Sequence, residues 1–179
     1  LTNQVLKVDP SDQDALHCKC ITLLLQSKYD DVIKFIKAKK LSTELALYLA
    51  YAHYRKKNDN ELLKLYQQED DINQQNDENV LHIYAQTLYR NNNPEKAIQL
   101  YQSDVINVTE TDDVEIMTNY LANIAISNTP QLVSTAIDNT TLTQLQDESY
   151  ELLYNKACCL IRAEQYQEAL NTLIYAEEL

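Results

Sequence analysis

The sequence predicts an all-α protein made of stacked helix pairs, and three observations carry that prediction. Small or short apolar side chains recur at Cys20, Ala50, Ala85, Ala122 and Ala157, 30 to 37 residues apart. A second series, Val32, Leu62, Ala97, Ser134 and Ala169, keeps phase with the first, and two series in phase are far harder to obtain by chance than one. Pro10, Pro94 and Pro130 all fall between apolar periodic segments and never inside one, as expected where proline bounds helices without interrupting them. A small residue in each helix lets two antiparallel backbones approach closely. One such pair cannot bury its own apolar face, so the pairs must stack.

The clearest pair is Leu81–Tyr101, LHIYAQTLYRNNNPEKAIQLY. Tyr84, Ala85 and Leu88 share one helical face, and so do Ala97, Ile98 and Tyr101. Asn91-Asn92-Asn93-Pro94 separates them, with Asn93 as N-cap and Pro94 at the first helical position, where its missing N–H costs nothing. In chain order, residues 1–10 read as the end of a preceding repeat whose first helix lies upstream, and residues 11–179 as one domain of about five helix pairs. Ser11-x-x-Asp14 opens a helix to about Ser27, and Tyr29 to Lys39 is its partner, with Lys37, Lys39 and Lys40 at the end that suits cations. Ser42 or Thr43 opens the next helix, which runs through Lys57, and Asn60 to about Glu69 returns. The Gln/Asn/Asp stretch from Gln67 to Asn79 reads as a loose connection. Beyond the Leu81–Tyr101 pair, Thr109–Asp113 caps a helix to about Ser127. Thr129-Pro130 repeats the Asn93-Pro94 arrangement, and Ser149–Ala163 with Tyr166–Leu179 makes the last pair.

Composition narrows the function classes. No glycine is present, which excludes glycine-rich phosphate loops, dinucleotide fingerprints and nucleophile elbows. Helix ends then need another residue in the left-handed position, and Asn58, Asn91 and Asn128 are the expected ones. A net charge of −12 argues against nucleic acid, because phosphate binding needs a basic face. The acidic runs Glu69-Asp70-Asp71, Asp77-Glu78 and Glu110–Glu115 read as solvated helix starts and loop ends; the sharper reading is a field that attracts a basic partner. Cys18/Cys20 and Cys158/Cys159 are not C-x-x-C pairs and no histidine cluster accompanies them, so they read as small buried hydrophobes of a reducing cytosol, with no metal site. Asn107-Val-Thr and Asn139-Thr-Thr match the glycosylation pattern, a cheap match in an Asn-rich chain. No signal peptide or transmembrane run is visible. With no nucleophile–base pair, no motif-set carboxylate pair and no cofactor motif, the chain is not expected to be an enzyme.

The helix-turn-helix unit and its period resemble the tetratricopeptide repeat (TPR), which implies a right-handed superhelix whose first helices line the concave face. Three segments resemble more than the generic repeat: DALHCKCITLLLQSKYDDVIKFI, YAQTLYRNNNPEKAIQLYQSDV and YELLYNKACCLIRAEQYQEALNTLIYAEEL. They are similar to the N-terminal TPR region of the family of 72-kilodalton signal recognition particle subunits, most particularly in ALHCK at Ala15–Lys19 and YNKACCLI at Tyr154–Ile161. The resemblance implies a cytoplasmic chain that holds the 68-kilodalton subunit through its repeats, while the family's RNA-binding segment is a basic region further C-terminal. A TPR scaffold of another cytosolic assembly, such as a co-chaperone or vesicle-coat subunit, is the alternative.

The face of the first helices opposite the small series is the expected partner-binding groove. It comprises His17, Cys18, Ile21 and Leu25 in the first unit, and Tyr48, Tyr51, Tyr54 and Arg55 in the second. The third supplies His82, Gln86, Tyr89 and Arg90, the fourth Tyr120 and Asn123, and the last Tyr154, Asn155, Cys158 and Arg162. Tyrosine dominates, and it is amphipathic and cheap to immobilise, hence its enrichment at interface hot spots. The Lys and Asn of the TPR clamp for a terminal carboxylate are replaced by His17 and Ile21, so a chaperone-tail adaptor is disfavoured.

Overall fold

A computed structural model of the chain describes residues 2–68 and 77–179. Among the described residues it is all-helical: α1 (Thr2–Val8), α2 (Gln13–Leu25), α3 (Tyr29–Lys39), α4 (Ala46–Arg55), α5 (Asp59–Gln68), α6 (Glu78–Arg90), α7 (Pro94–Tyr101), α8 (Val114–Ile126), α9 (Pro130–Ile137), α10 (Thr140–Leu145), α11 (Tyr150–Arg162) and α12 (Tyr166–Glu178). The connection expected between Gln67 and Asn79 lies mostly outside the described residues. The helices form two compact units, Leu1–Thr87 and Leu88–Leu179, with α6 running across the boundary.

The turns after the first helices set the register. Ser27, Lys57, Asn92 and Glu164 each have positive φ, between 55° and 60°. At each, the next residue's N–H reaches back to a carbonyl five residues earlier: Lys28 to Leu23, Asn58 to His53, Asn93 to Leu88 and Gln165 to Leu160, at 2.9–3.0 Å. The left-handed residue itself donates to Leu24, Tyr54, Tyr89 or Ile161, completing the Schellman motif. The expectation of Asn58 and Asn91 at these positions is therefore one residue out, since Lys57 and Asn92 hold them. Asn128 is not left-handed either. There Ser127 is extended, with ψ of 161°, and the Asn128 N–H donates to the Glu95 carboxylate at 3.1 Å, a contact that lowers the Glu95 pKa.

Counting back from these turns, the same positions are buried in every first helix. Ala15, Leu45, Val80, Ile116 and Leu152 form one set, and Leu16, Ala46, Leu81, Met117 and Leu153 the next. The small-residue position holds Cys20, Ala50, Ala85 and Ala157, but in the fourth pair Leu121 and not Ala122. The partner series shifts with it, from Ser134, which is exposed, to Val133, which is buried. Pro130 already carried that register, because it stands two residues past Asn128 as Pro94 does past Asn92. A leucine where the other pairs keep cysteine or alanine hid the repeat.

In the first unit α2, α3 and α4 share one core of Leu16, Cys20, Leu23, Val32, Ile36, Leu45, Leu49 and Ala52. α2 packs on both α3 and α4, and α4 on α5, so the pairs stack. In the second unit α8 packs on α7, α9 and α11, and α11 on α9 and α12. Asp12, not Ser11, caps α2 by accepting from the Ala15 N–H at 2.7 Å, while Asp113 and Ser149 cap α8 and α11. Asn93 and Thr129 occupy N-cap positions without making the side-chain bond. α4 starts only at Ala46, after a hydrogen-bonded turn in which Leu45 donates to Leu41. The short helix α10, capped by Asn139, was not foreseen.

The leucine position that closes each turn, Leu23, Leu88 and Leu160, is His53 in the second pair, and His53 is only 3% exposed. Neither ring nitrogen has a hydrogen-bond partner among the described residues. Burial pushes its pKa down, and Lys37 adds to the shift. A depressed histidine is neutral in both states above its unfolded pKa, near 6.5. Below that, the unfolded chain binds the proton first and the fold loses stability. His53→Leu should therefore raise stability by about 1–3 kcal/mol, the cost of an unsatisfied buried polar group. Urea midpoints of both proteins at pH 7.5 and 5.5 check this: the wild type should lose more on acidification, and parallel losses would exclude His53 as the cause.

Candidate protein-interaction surface

Within the first unit the structure brings together several of the side chains expected to line a groove. His17 Nδ1 and the Tyr48 hydroxyl lie 2.9 Å apart with their rings edge to face, linking α2 to α4. Arg55 donates from Nη1 to the Tyr51 hydroxyl at 2.6 Å and lies over the rings of Tyr51 and Tyr29. Lys56, beside it, pairs with Asp30 at the start of α3. Ile21 and Leu25 stand exposed on α2, and Cys18 is exposed too, as its place on the same face requires and not as the buried thiol that the cysteine pairs suggest. His82 and Gln86 touch each other at 3.0 Å on α6 and are half-buried. The result is an aromatic face whose hydroxyls and cation are already oriented by one another.

The second unit corrects two of the expected groove residues. Tyr120 is 3% exposed: its ring packs on Tyr101, its hydroxyl accepts from Gln102, and burial raises its pKa. Asn123 is buried as well and donates to the Asn119 carbonyl. Neither offers surface, because the one-residue slip at Leu121 turns both toward the packed side of α8. Tyr89, Arg90 and Tyr154 are exposed as expected. Asn155 and Arg162 serve the packing of α11 on α8, donating to the Thr118 and Ala125 carbonyls at 2.9 Å each. Between them the Cys159 thiol donates to the Leu121 carbonyl. Cys20 and Cys159 are buried, with pKa values raised to about 11 and about 12 by desolvation, which makes both poor nucleophiles.

Near the C-terminal ends of the first helices, Ile126 and Ile161 are exposed apolar residues that the expected groove omits. Ile126 occupies the position of Leu25, Arg55, Arg90 and Arg162, and Ile161 that of Leu24, Tyr54 and Tyr89. The Pro130 register would have found Ile126. Both glycosylation patterns serve local structure: Asn107 accepts from the Thr109 hydroxyl, and Asn139 caps α10 while Thr141 donates to the Thr109 carbonyl. Among the described residues, no helix is long and apolar enough to cross a membrane.

No protein-family model matches the chain. It is 30% identical over 181 residues to the signal recognition particle subunit SRP72 of Homo sapiens, covering 99% of this chain and 26% of that one. The SRP72 of Caenorhabditis elegans is 27% identical over 96% of this chain, and that of Dictyostelium discoideum 24% over 99%. Nearly the whole chain is thus related to one region of SRP72, and it spans about a quarter of the length of the curated relatives it matches.

Burial separates the tyrosines into packing and surface. Tyr120→Ala should destabilise by about 3–5 kcal/mol, as large aromatic truncations in cores do. Tyr154→Ala, at a position 58% exposed, should stay within about 0.5 kcal/mol of the parent. Chemical denaturation of the two variants decides it, and equal losses would mean that the inward face of α8 is assigned wrongly.

Proposed function

We propose that this chain is a TPR-type interaction module of a signal recognition particle subunit, acting in co-translational protein targeting. Its first helices hold a segment of the 68-kilodalton partner subunit, in the cytoplasm and without catalysing a reaction. Relatedness to SRP72 along nearly the whole chain carries the reading. The first-helix face of the first unit supports it physically: Tyr51, Tyr54 and Arg55 sit partly or fully exposed on α4, next to the linked His17–Tyr48 pair. Aromatic side chains held by neighbours lose little entropy on binding, so contacts to them convert well into affinity. With the array of helix pairs read as one module, residues 11–179 form a single binding unit.

Calorimetric binding to the 68-kilodalton subunit tests the proposal. Tyr51→Ala, Tyr54→Ala and Tyr89→Ala should each cost about 1–3 kcal/mol of affinity, the range of interface anchors, with thermal melts close to the parent. Tyr48→Ala should lose stability as well, because Tyr48 also packs against the core of the first unit. No binding by the parent, or full affinity in all the variants, sinks the assignment. A capture from cytosol that returned subunits of a different assembly would replace the partner.

The same charge balance predicts a negative result. At −12, the chain should not bind signal recognition particle RNA appreciably at physiological salt, since there is too little cation to displace counterions. Salt-sensitive binding of labelled RNA in a titration would contradict this.

A further inference from the structure

We infer that the first unit carries a seat for an acidic, aliphatic segment of the partner subunit: Arg55 and the Tyr51 hydroxyl take a carboxylate, and Ile21 and Leu25 take the apolar side chain beside it. The inference rests on the interaction-module reading above, of which it names the ligand chemistry. Counted back from the left-handed residues Ser27 and Lys57, Ile21 and Leu25 hold on α2 the places that Tyr51 and Arg55 hold on α4. The two helices pack side by side and are joined by the His17–Tyr48 contact, so an apolar pair stands next to a polar one. Leu25 is 82% and Ile21 43% exposed, and Arg55 is exposed with them.

Arg55 is already set for a carboxylate. Its guanidinium lies over the Tyr29 and Tyr51 rings at 5.5 and 5.6 Å, and Nη1 donates to the Tyr51 hydroxyl. The N–H groups left over still form a flat fork, which meets a carboxylate with two parallel bonds. The Tyr51 oxygen accepts from Arg55 and keeps its own proton to donate, so both donors stand at one spot. Arg55 has no ion pair among the described residues. The charge of the unit suits the same ligand. Residues 2–68 hold eleven cations against eight carboxylates, although the whole chain stands at −12. Lys28 and Lys57 are exposed at the α2–α3 and α4–α5 turns, which the Arg55–Tyr29 and Lys56–Asp30 contacts bring together. Of the carboxylates there, Asp30 is taken up by Lys56, and Asp31 and Asp59 sit in the first turns of α3 and α5, where the dipoles favour them. RNA phosphate would meet the same cations, but Arg55 covers the rings on which a base would stack, and Leu25 gains nothing from phosphate. A carboxylate next to an aliphatic side chain satisfies both halves of the seat, and the charge fixes its register.

The test is calorimetric binding of the full chain to the 68-kilodalton subunit. Arg55→Gln should weaken binding about tenfold, the loss of one charge-assisted bond, and Leu25→Ala by about the same factor. Arg55→Lys should recover only part, since an ammonium lacks the fork, and Tyr51→Phe should weaken binding while keeping the ring. Lys96→Gln, an exposed change on α7, should leave the affinity at the parent's. Amide substitutions at the subunit's Asp and Glu residues, one at a time, should find one that gives the Arg55→Gln loss and does not add to it. Thermal melts accompany every variant. If Arg55→Gln melts low, the exposed pair Lys28→Gln and Lys57→Gln, changed together, decides the charged half, with a loss of about fivefold expected. Parent-like binding by Arg55→Gln and Leu25→Ala, with Tyr54→Ala still weakened, overturns the inference and leaves the proposed function standing. So does a subunit in which no amide change matters, or an Arg55→Gln variant that loses binding to labelled signal recognition particle RNA instead. A parent chain that does not bind the subunit overturns both.

Discussion

The structure depends on closing each first helix without glycine. A left-handed residue with a Cβ costs about 1–2 kcal/mol of backbone strain, and Ser27, Lys57, Asn92 and Glu164 all accept it. Two backbone hydrogen bonds at each turn over-determine the conformation, and the buried residue five positions before the second donor pins the helix end to the core. Because the turn fixes where the second helix begins, it also fixes which side chains of the first helix face the preceding pair and which face outward. The fourth pair lacks the left-handed residue and uses a side-chain acceptor instead, the Glu95 carboxylate. That substitution coincides with the one-residue slip that places Leu121 in the small-residue position.

The two units stack their first helices by different means. In the first, α2 and α4 meet through the His17–Tyr48 pair above a shared aliphatic core. In the second, α11 lays Asn155, Cys159 and Arg162 onto successive carbonyls of α8. A carbonyl bonded in its own ladder keeps a second lone pair, and Ala125 lies in the last turn, where helix carbonyls lack a ladder partner, so such contacts satisfy these donors without unwinding the neighbour. The consequence for binding is direct. Side chains spent on holding α8 are ordered, while Ile126, Tyr154 and Ile161 on α8 and α11 stay exposed.

Charge and burial together account for the kind of function that fits. Buried thiols with raised pKa values and a neutral buried histidine are packing elements, not reactive groups. Among the described residues, part of the acidic excess lies on helix starts, such as Asp14, Glu115 and Glu151, where it complements the dipoles and is exposed.

The sequence by itself determined the all-α class, the repeat period and most helix limits, because buried small and aliphatic residues recur at the helical spacing and proline or polar runs punctuate them. It also carried the relationship to one region of the signal recognition particle subunit SRP72; Tyr51 and Tyr54 are half-buried on α4 and Tyr89 is exposed on α6. Only the tertiary structure decided the fourth pair. Ala122 looks like the small packing residue and Leu121 does not, and the choice between them depends on how much room α9 leaves, which no local pattern records. The same holds for Asn155 and Arg162: their partners are carbonyls 37 residues away, and a backbone acceptor leaves no trace in side-chain identity. Tyrosine is the hardest case, since a ring at helical spacing suits core and groove alike. Tyr120 and Tyr154 were indistinguishable in sequence, and what parts them is the neighbour, Tyr101 and Gln102 against one ring and solvent against the other.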